Sequence, residues 1–404
     1  MSTPAEVEVD PVPVDGVSLA AATTGIKQSG QPDVALVHLA SGSHTAAVFT
    51  RNAFSAAPVH IARRHVQAQA PQLLLINSGC ANAGTGSMGE TDAMATCGHA
   101  ASVFGISSES VLPFSTGVIG APLPVDRVCH GVDLCAQALS PHGWAAAADA
   151  IRTTDLVAKT ASTRVELSAG SVRVTGMAKG SGMIRPDMAT MLAFITTDAA
   201  VGAQGPLDTM LRRSVDRSFH CITVDGDTST NDAVTLSATG ASGVGLASAA
   251  DEQALQVALD AVCLRLAQAI VRDAEGATRL IEIVVTGAAD RDEARAVAFT
   301  VAHSPLVKTA VCGGDPNWGR ILAAVGRAPI DALDIQGVNI ALDEMALVAG
   351  GEPVRGFDEL AAAAAMQADT VRIGIGLGRG SAMATVWTSD LTCDYVRINA
   401  DYRT

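Results

Sequence analysis

Short apolar runs bounded by turn residues recur through the first half of the chain and predict β-strands. The fullest run lies at 72–77, and the stretch 163–175 alternates polar and apolar positions around Ala169-Gly170, which is typical of a β-hairpin. Further strands are predicted at 33–39, 46–50, 190–196, 222–224 and 280–285. The first thirty residues show no such pattern, and we expect them to form an irregular lead-in.

Apolar positions at helical spacing predict the other elements. The longest such pattern covers 251–272, and further helices are predicted at 90–104, 124–139, 143–151 and 207–219. After Gly287 the character of the chain changes, with strands predicted at 294–303, 338–342 and 370–375 and helices at 317–325 and 357–366. The pattern therefore predicts an α/β (α+β) chain with two domains, a larger one at 1–286 and a smaller α/β domain at 287–404.

Composition narrows the class of protein. The 404 residues are 48% hydrophobic but only 3% aromatic, so a large core of aliphatic side chains is expected. The net charge of −14 and the lack of basic clusters argue against nucleic-acid binding. The sequence shows no secretory signal pattern, no uncharged apolar run of membrane-spanning length and no Cys-x-x-Cys pair among its eight cysteines. We therefore expect a cytoplasmic protein with reduced thiols and no membrane segment.

The centre of the chain holds the first candidate for chemistry. A glycine-rich stretch that carries Lys179 runs into the apolar strand at 190–196, and Ala189-Thr190 marks the junction. A threonine hydroxyl is a weak nucleophile unless a base stands beside it, and a free α-amino group on the same residue, with a pKa of about 8, can be that base. Thr190 gains this amine only if the Ala189–Thr190 bond is cut. From these residues alone, the commoner interpretation is that Thr190 is an ordinary β-branched residue of a strand.

A second candidate is the run Ser115-Thr116-Gly117, which precedes an apolar pair. Such a turn can present backbone N–H groups and a hydroxyl to one point, as an oxyanion hole requires. A plain turn at the end of a strand remains the alternative. Glu275 follows the helix predicted at 251–272, where a carboxylate opposes the helix dipole, and this placement mildly favours function over stability. An exposed, solvated glutamate remains the alternative.

The acidic loop at 225–232 could hold a cation in principle. A calcium-binding EF-hand loop that starts at Asp225 needs glycine at its sixth position and glutamate at its twelfth. Those positions hold Thr230 and Leu236, so the sequence does not predict a calcium site. No metal ligand is assigned elsewhere in the chain.

Segments along nearly the whole chain together resemble one enzyme family, the glutamate N-acetyltransferase / ornithine acetyltransferase family of arginine biosynthesis. The matching segments are 47–52, 77–83, 115–120, 176–194, 224–232, 273–278, 315–320 and 395–404. The resemblance implies a layered, N-terminal-nucleophile-like catalytic domain and self-cleavage between Ala189 and Thr190. It also implies an α chain of residues 1–189 and a β chain of residues 190–404, assembled as α2β2.

The family's functional residues carry over to matching positions of this sequence. Thr190 corresponds to the nucleophile, and Thr116 and Gly117 correspond to the groups that stabilise the oxyanion. The substrate-binding positions correspond to Thr153, Lys179, Thr190, Glu275, Asn399 and Thr404. The choice between Thr153 and its neighbour Thr154 stays open, because the following run, 156–159, lacks the proline that the family usually carries before the lysine. In the family, the loop at 225–232 packs near the nucleophile.

The resemblance also implies the reaction. An acetyl group would pass from N2-acetyl-L-ornithine to Thr190 and then to L-glutamate, with no cofactor. Acetyl-CoA as a second acetyl donor is left undecided by the sequence. One alternative is a self-cleaving aminopeptidase or amidohydrolase of similar fold, which admits water to the acyl-enzyme. The other is a non-catalytic scaffold protein, against which the intact Ala189-Thr190, Lys179 and Thr116-Gly117 argue.

Self-cleavage is the first testable prediction. Freshly purified, denatured protein should give two fragments by intact mass, and N-terminal sequencing should show that one of them begins Thr190-Met-Leu-Ala. The expected cause is attack of the Thr190 hydroxyl on the Ala189 carbonyl carbon. A single chain of 41.0 kDa after prolonged incubation would remove the free amine from the mechanism and favour the scaffold alternative.

Overall fold

The structure, a computed structural model, describes residues 6–185, 191–202 and 204–401. Its chain divides into two compact units. The first unit contains the chain up to His220 together with Asp227–Ile270, and the second contains Cys221–Gly226 and the described chain from 271 to 401.

Nine strands and six helices of the described chain belong to the first unit, the last helix ending just beyond it. The strands are β1 (Val17–Ala22), β2 (Val34–Leu39), β3 (His44–Phe49), β4 (Leu73–Cys80), β5 (Val111–Val118), β6 (Lys159–Leu167), β7 (Gly170–Lys179), β8 (Leu192–Thr197) and β9 (Ala233–Ala238). The helices are α1 (Ala57–Ala68), α2 (Gly86–Phe104), α3 (Val125–Ala138), α4 (Trp144–Ala150), α5 (Gln204–Arg217) and α6 (Ala249–Arg272).

These strands form two sheets. One has the order β1-β2-β4-β5, in which only β4 and β5 are parallel. The other has the order β3-β9-β8-β7-β6, in which only β8 and β9 are parallel. Each sheet therefore has one parallel pair, β4–β5 in the first and β8–β9 in the second.

Alternating side chains on β4 explain why the unit is layered. Leu74 and Ile76 join a core cluster that also contains Phe194 of the second sheet, whereas Leu73 and Leu75 join another that contains residues of α2 and α3. Side chains alternate between the two faces of a strand, so the first sheet is covered by the second sheet on one face and by helices on the other. The predicted layered architecture is confirmed.

Helix α6 covers the outer face of the second sheet. The side chains of Val262 and Leu266 lie against Gly176 of β7. By length and composition α6 is the one described helix that could cross a membrane alone, yet 56% of its apolar window is buried inside the protein. Its packing on β7 is that of a core helix.

The second unit contains one sheet of six strands. The strands are β10 (Leu280–Ala288), β11 (Asn339–Leu342), β12 (Met345–Ala349), β13 (Glu352–Pro353), β14 (Thr370–Gly376) and β15 (Ala382–Ser389). Their order is β13-β12-β11-β14-β10-β15, with β10 and β14 parallel. The helices are α7 (Arg291–Ala302), α8 (Pro305–Gly313), α9 (Trp318–Gly326), α10 (Glu359–Ala365) and α11 (Cys393–Asp401).

The two compact units divide before the predicted boundary at 286/287. Strand β10 is hydrogen-bonded between β14 and β15, so it lies in the second unit although its sequence precedes Gly287. The short segment Cys221–Gly226 also belongs there, and Ile222 forms a β-bridge with Trp387 of β15.

Three predictions of local structure are wrong. The stretch 294–303 is not a strand but most of helix α7, which begins after Asp290, whose side chain accepts a hydrogen bond from the N–H of Glu293 at 2.8 Å. The stretch 222–224 contributes only the bridge at Ile222, because no neighbouring residue continues the pairing. Strand β1 lies within the lead-in expected to be irregular, where it pairs with β2.

Contact between the two sheets of the first unit generates a stability prediction. The rings of Phe114 and Phe194 meet edge to face with centroids 5.0 Å apart, and Phe194 is fully buried. Phe194→Ala should cost about 3–5 kcal/mol of unfolding free energy because it leaves a cavity between the sheets. Phe54→Ala, at a side chain that is 55% exposed, is the control and should stay within about 0.5 kcal/mol. Equal melting temperatures for the two variants would contradict this account of the core.

Candidate functional site

Thr116 and Gly117 lie near the end of β5, where the pairing with β4 becomes irregular. Thr116 pairs with Ser78 and Gly117 with Gly79, and the register then shifts at Cys80. Gly117 has φ +128°, and a Cβ there would lie 2.4 Å from the carbonyl carbon of Gly79. Only glycine fits this conformation and this spacing. The predicted oxyanion pair therefore lies on a backbone irregularity, which is where a strand can turn its polar groups away from the ladder.

Lys179 brings three of the predicted site residues together. It is the last residue of β7 and is 7% exposed. Its Nζ donates to Thr153 Oγ1 at 2.8 Å and to Thr116 Oγ1 at 3.3 Å. These hydroxyls come from segments far apart in sequence. Of the two threonines left open by the sequence, the one that contacts the lysine is Thr153.

Asp155 lies close to Lys179 and was not singled out in the sequence. Its carboxylate accepts from Lys159 Nζ and from the N–H of Gly180, both at 2.7 Å, and lies 3.8 Å from Lys179 Nζ. Burial by itself would raise the pKa of Asp155, but the ammonium groups of Lys179 and Lys159 and these hydrogen bonds hold that pKa well below its usual value. Asp155 is therefore charged.

A second carboxyl group missed by sequence reasoning belongs to Asp232. It directly precedes β9, and the N–H of Ala233 donates to the carbonyl of Met191 at 3.1 Å. Neither carboxyl oxygen of Asp232 reaches hydrogen-bonding geometry with a donor in the described part of the chain. Burial raises the pKa of Asp232 well above its usual value, more than the nearby N–H of Met191, the Lys179 ammonium and the Ser229 hydroxyl lower it. Burial therefore disfavours the charged form of Asp232, which lies beside Met191, the residue that follows Thr190.

In the second unit the structure pairs two further predicted residues. Asn399 of α11 donates from its Nδ2 to Glu275 Oε2 at 2.8 Å. The turn at Gly276 makes this contact possible, because its φ is +68° and a Cβ there would lie 2.5 Å from the backbone nitrogen of Tyr395. Glu275 and α11 are thus held together.

Three of the predicted positions lie outside the described residues. They are Ala189, Thr190 and Thr404. Their roles in cleavage, nucleophilic attack and substrate binding stay predictions. Among the residues that the structure does describe, no group of three or more His, Cys, Asp or Glu side chains is arranged to hold a metal ion.

Comparison with known proteins decides the family. The model of the ArgJ family matches residues 18–404. The chain belongs to the ArgJ family. It is 54% identical to the arginine biosynthesis bifunctional protein ArgJ of Methylococcus capsulatus, over 97% of this chain and 96% of that protein. It is 45% identical to the ArgJ protein of Pseudomonas fluorescens, over 97% of both chains.

A solved structure agrees with this placement in the ArgJ family. The crystal structure of ArgJ from Bacillus halodurans is 41% identical, with a TM-score of 0.50, and the match covers 53% of this chain and 100% of that one. The family predicted from the sequence segments is confirmed. For an ArgJ-family chain, the group of Thr116, Thr153 and Lys179 is the described part of the candidate active site.

The constraint at Gly117 can be tested by substitution. Gly117→Ala should lower the unfolding free energy by about 1–3 kcal/mol, because the new Cβ meets the Gly79–Cys80 backbone at a φ that alanine avoids. Gly98→Ala is the matched control, since a Cβ there meets nothing within 4 Å and the residue lies in α2. Thermal melting compares the two. If Gly117→Ala melts like Gly98→Ala, the close approach of β4 and β5 is not a constraint.

Proposed function

We propose that this ArgJ-family chain is a glutamate N-acetyltransferase that moves the acetyl group of N2-acetyl-L-ornithine to L-glutamate in arginine biosynthesis. Membership of the family supports the reaction class and the pathway. The observation that carries the proposal is the Lys179 ammonium, which is held between Thr153 and Thr116 beside the glycine of the predicted oxyanion hole. A buried ammonium next to such donors suits a substrate that has both a carboxylate and a reacting carbonyl group.

The proposed nucleophile is made by the chain itself. The Thr190 hydroxyl attacks the Ala189 carbonyl carbon, a C–O bond forms and the C–N bond breaks. Water then hydrolyses this ester and leaves Thr190 with a free α-amine. That amine accepts the hydroxyl proton in each later attack.

Acetyl transfer follows in two balanced halves. Thr190 Oγ attacks the acetyl carbonyl carbon of N2-acetyl-L-ornithine, and Thr116 and Gly117 stabilise the resulting oxyanion. The C–N bond breaks, and the departing amine of ornithine takes the proton from the Thr190 ammonium. The amine of L-glutamate then attacks the acetyl ester in the same way, and Thr190 regains its hydroxyl proton.

Charge assigns the remaining roles. Both substrates are amino acids or their derivatives, so each has a carboxylate for which Lys179 is the matching cation. Glu275 is assigned contact with the ammonium end of a substrate, and Asn399 a place in the substrate site, as the resemblance implies. Their mutual hydrogen bond supports a joint role. Thr404 is assigned to the substrate site by the resemblance alone.

Three finer points belong to the proposal. The curated relatives are named bifunctional, which supports a second activity with acetyl-CoA as the additional acetyl donor. The mature protein is proposed to be an α2β2 assembly of the two cleaved chains. It acts in the cytoplasm, without a cofactor.

The role of Thr190 is tested by trapping the acetyl group. Incubation of the wild-type protein with N2-acetyl-L-ornithine should add the mass of one acetyl group to the fragment that begins at Thr190, and L-glutamate should remove it as N-acetyl-L-glutamate. Thr190→Ala should remain one chain and transfer nothing, because it lacks both the hydroxyl and the new amine. Thr209→Ala, at an exposed threonine of α5, should behave like the wild type.

The same experiment separates the alternatives. Release of free acetate without N-acetyl-L-glutamate would favour a hydrolase over a transferase. A cleaved protein that takes up no acetyl group would overturn the proposed donor.

A further inference from the structure

Three charged side chains of the first unit are buried together, and the resemblance assigns a role to only one of them. Asp155, Lys159 and Lys179 have side-chain exposures of 0%, 1% and 8%. We call this group the lysine–aspartate cluster. In it, the ammonium groups of both lysines lie within 4 Å of the Asp155 carboxylate.

The two lysines do not share Asp155 equally. Lys159 Nζ lies 2.7 Å from Oδ1, whereas Lys179 Nζ lies 3.8 Å from Oδ2. The contact with Lys159 is short enough for a hydrogen bond, whereas the 3.8 Å distance to Lys179 is not. The carboxylate also accepts from backbone N–H groups, that of Gly180 at 2.7 Å and that of Thr153 at 3.1 Å.

This division of contacts determines where the ammonium of Lys179 lies. It donates to the hydroxyl of Thr153 at 2.8 Å and to that of Thr116 at 3.3 Å. A lysine has a flexible four-carbon stem and pairs readily with a nearby carboxylate. If Lys159 did not occupy Asp155, the ammonium of Lys179 would move onto that carboxylate and away from the two hydroxyls.

Stability alone does not explain the cluster. A buried ion pair is often no more stabilising than apolar side chains of the same volume, because both charges must be removed from water. A role in holding Lys179 accounts for that arrangement.

We propose that Lys159 and Asp155 are positioning residues: Lys159 holds the Asp155 carboxylate so that the Lys179 ammonium stays directed at Thr153 and Thr116, where it can bind a substrate carboxylate. The inference rests on the proposed function for the identity of the substrate. Asp155 in addition fixes Thr153 and Gly180 through their N–H groups. Neither residue touches the reacting atoms in this proposal.

The test is a double-mutant cycle in which KM and kcat are measured separately for each variant. Lys159→Met removes the competing ammonium, so Lys179 should pair with Asp155. The KM for both N2-acetyl-L-ornithine and L-glutamate should then rise about tenfold or more, because the loss of one charged contact with the substrate weakens binding by about that factor. The kcat should fall much less. Adding Asp155→Asn in the same chain removes the carboxylate that captured Lys179, and KM should return towards the wild-type value.

A merely structural role gives the opposite result. If Lys159 and Asp155 only support packing, the KM of the double variant should be at least as high as that of Lys159→Met. That outcome, or an unchanged KM in Lys159→Met, would overturn the proposal. Lys159→Gln removes the same charge but keeps a hydrogen-bond donor, and it replaces Lys159→Met if that variant does not fold.

Lys308→Met supplies a matched control for the loss of a buried lysine. Lys308 is 4% exposed, lies in the second unit, and donates to the carbonyl of Val224 at 2.7 Å and to Thr388 Oγ1 at 2.9 Å. Lys308→Met should lower the melting temperature. Adding Asp155→Asn to Lys308→Met should not lower KM, in contrast to adding it to Lys159→Met. Each variant is first checked for self-cleavage by intact mass.

Calorimetry separates failure of this inference from failure of the proposed function. Binding of L-glutamate to each cleaved variant is measured without any acetyl donor. If the wild type transfers no acetyl group, the proposed function fails. Weaker binding in Lys159→Met that recovers in the double variant would still support the positioning role, and identical binding in all three proteins would refute it.

Discussion

The contact on which the candidate site depends is that of the Lys179 ammonium with the hydroxyls of Thr153 and Thr116. It joins the end of β7, the end of β5 and the loop before β6. These three segments meet because the two sheets of the first unit pack face to face through Phe114 and Phe194. The polar contact of Lys179 is thus held in place by the apolar interface between the two sheets. That interface is close-packed and resists displacement.

The same packing explains why polar groups lie at the ends of strands here. Along β5 the residues up to Ser115 are buried, whereas Thr116 and Gly117 are partly exposed. Along β7 the burial continues to Lys179. An aliphatic core fixes the strands, and the irregular register between β4 and β5 then frees the end of β5 from regular pairing. The core and the site are therefore consecutive parts of the same strands.

Sequence reasoning predicted those parts of the fold that local patterns determine. The β6–β7 hairpin and α6 show clear periods of two and of 3.6 residues, and both were found. The stretch in α7 was misassigned because its valines and phenylalanine favour strands, although its buried residues Ala294, Val297 and Val301 are at helical spacing. Strand β1 was missed because its alanines carry little strand preference and its pairing with β2 is a tertiary contact.

The candidate site divides in a similar way. Thr116, Thr153 and Lys179 could be found because their local motifs match a family, but Asp155 and Asp232 could not. One acidic residue in a sequence gives no sign of its burial, and the pKa values of these two are shifted in opposite directions. Two ammonium groups and hydrogen bonds lower the pKa of Asp155, whereas burial raises that of Asp232. The charge of Lys179 lowers the pKa of both carboxyl groups, so the position of this one ammonium group affects the charge of each.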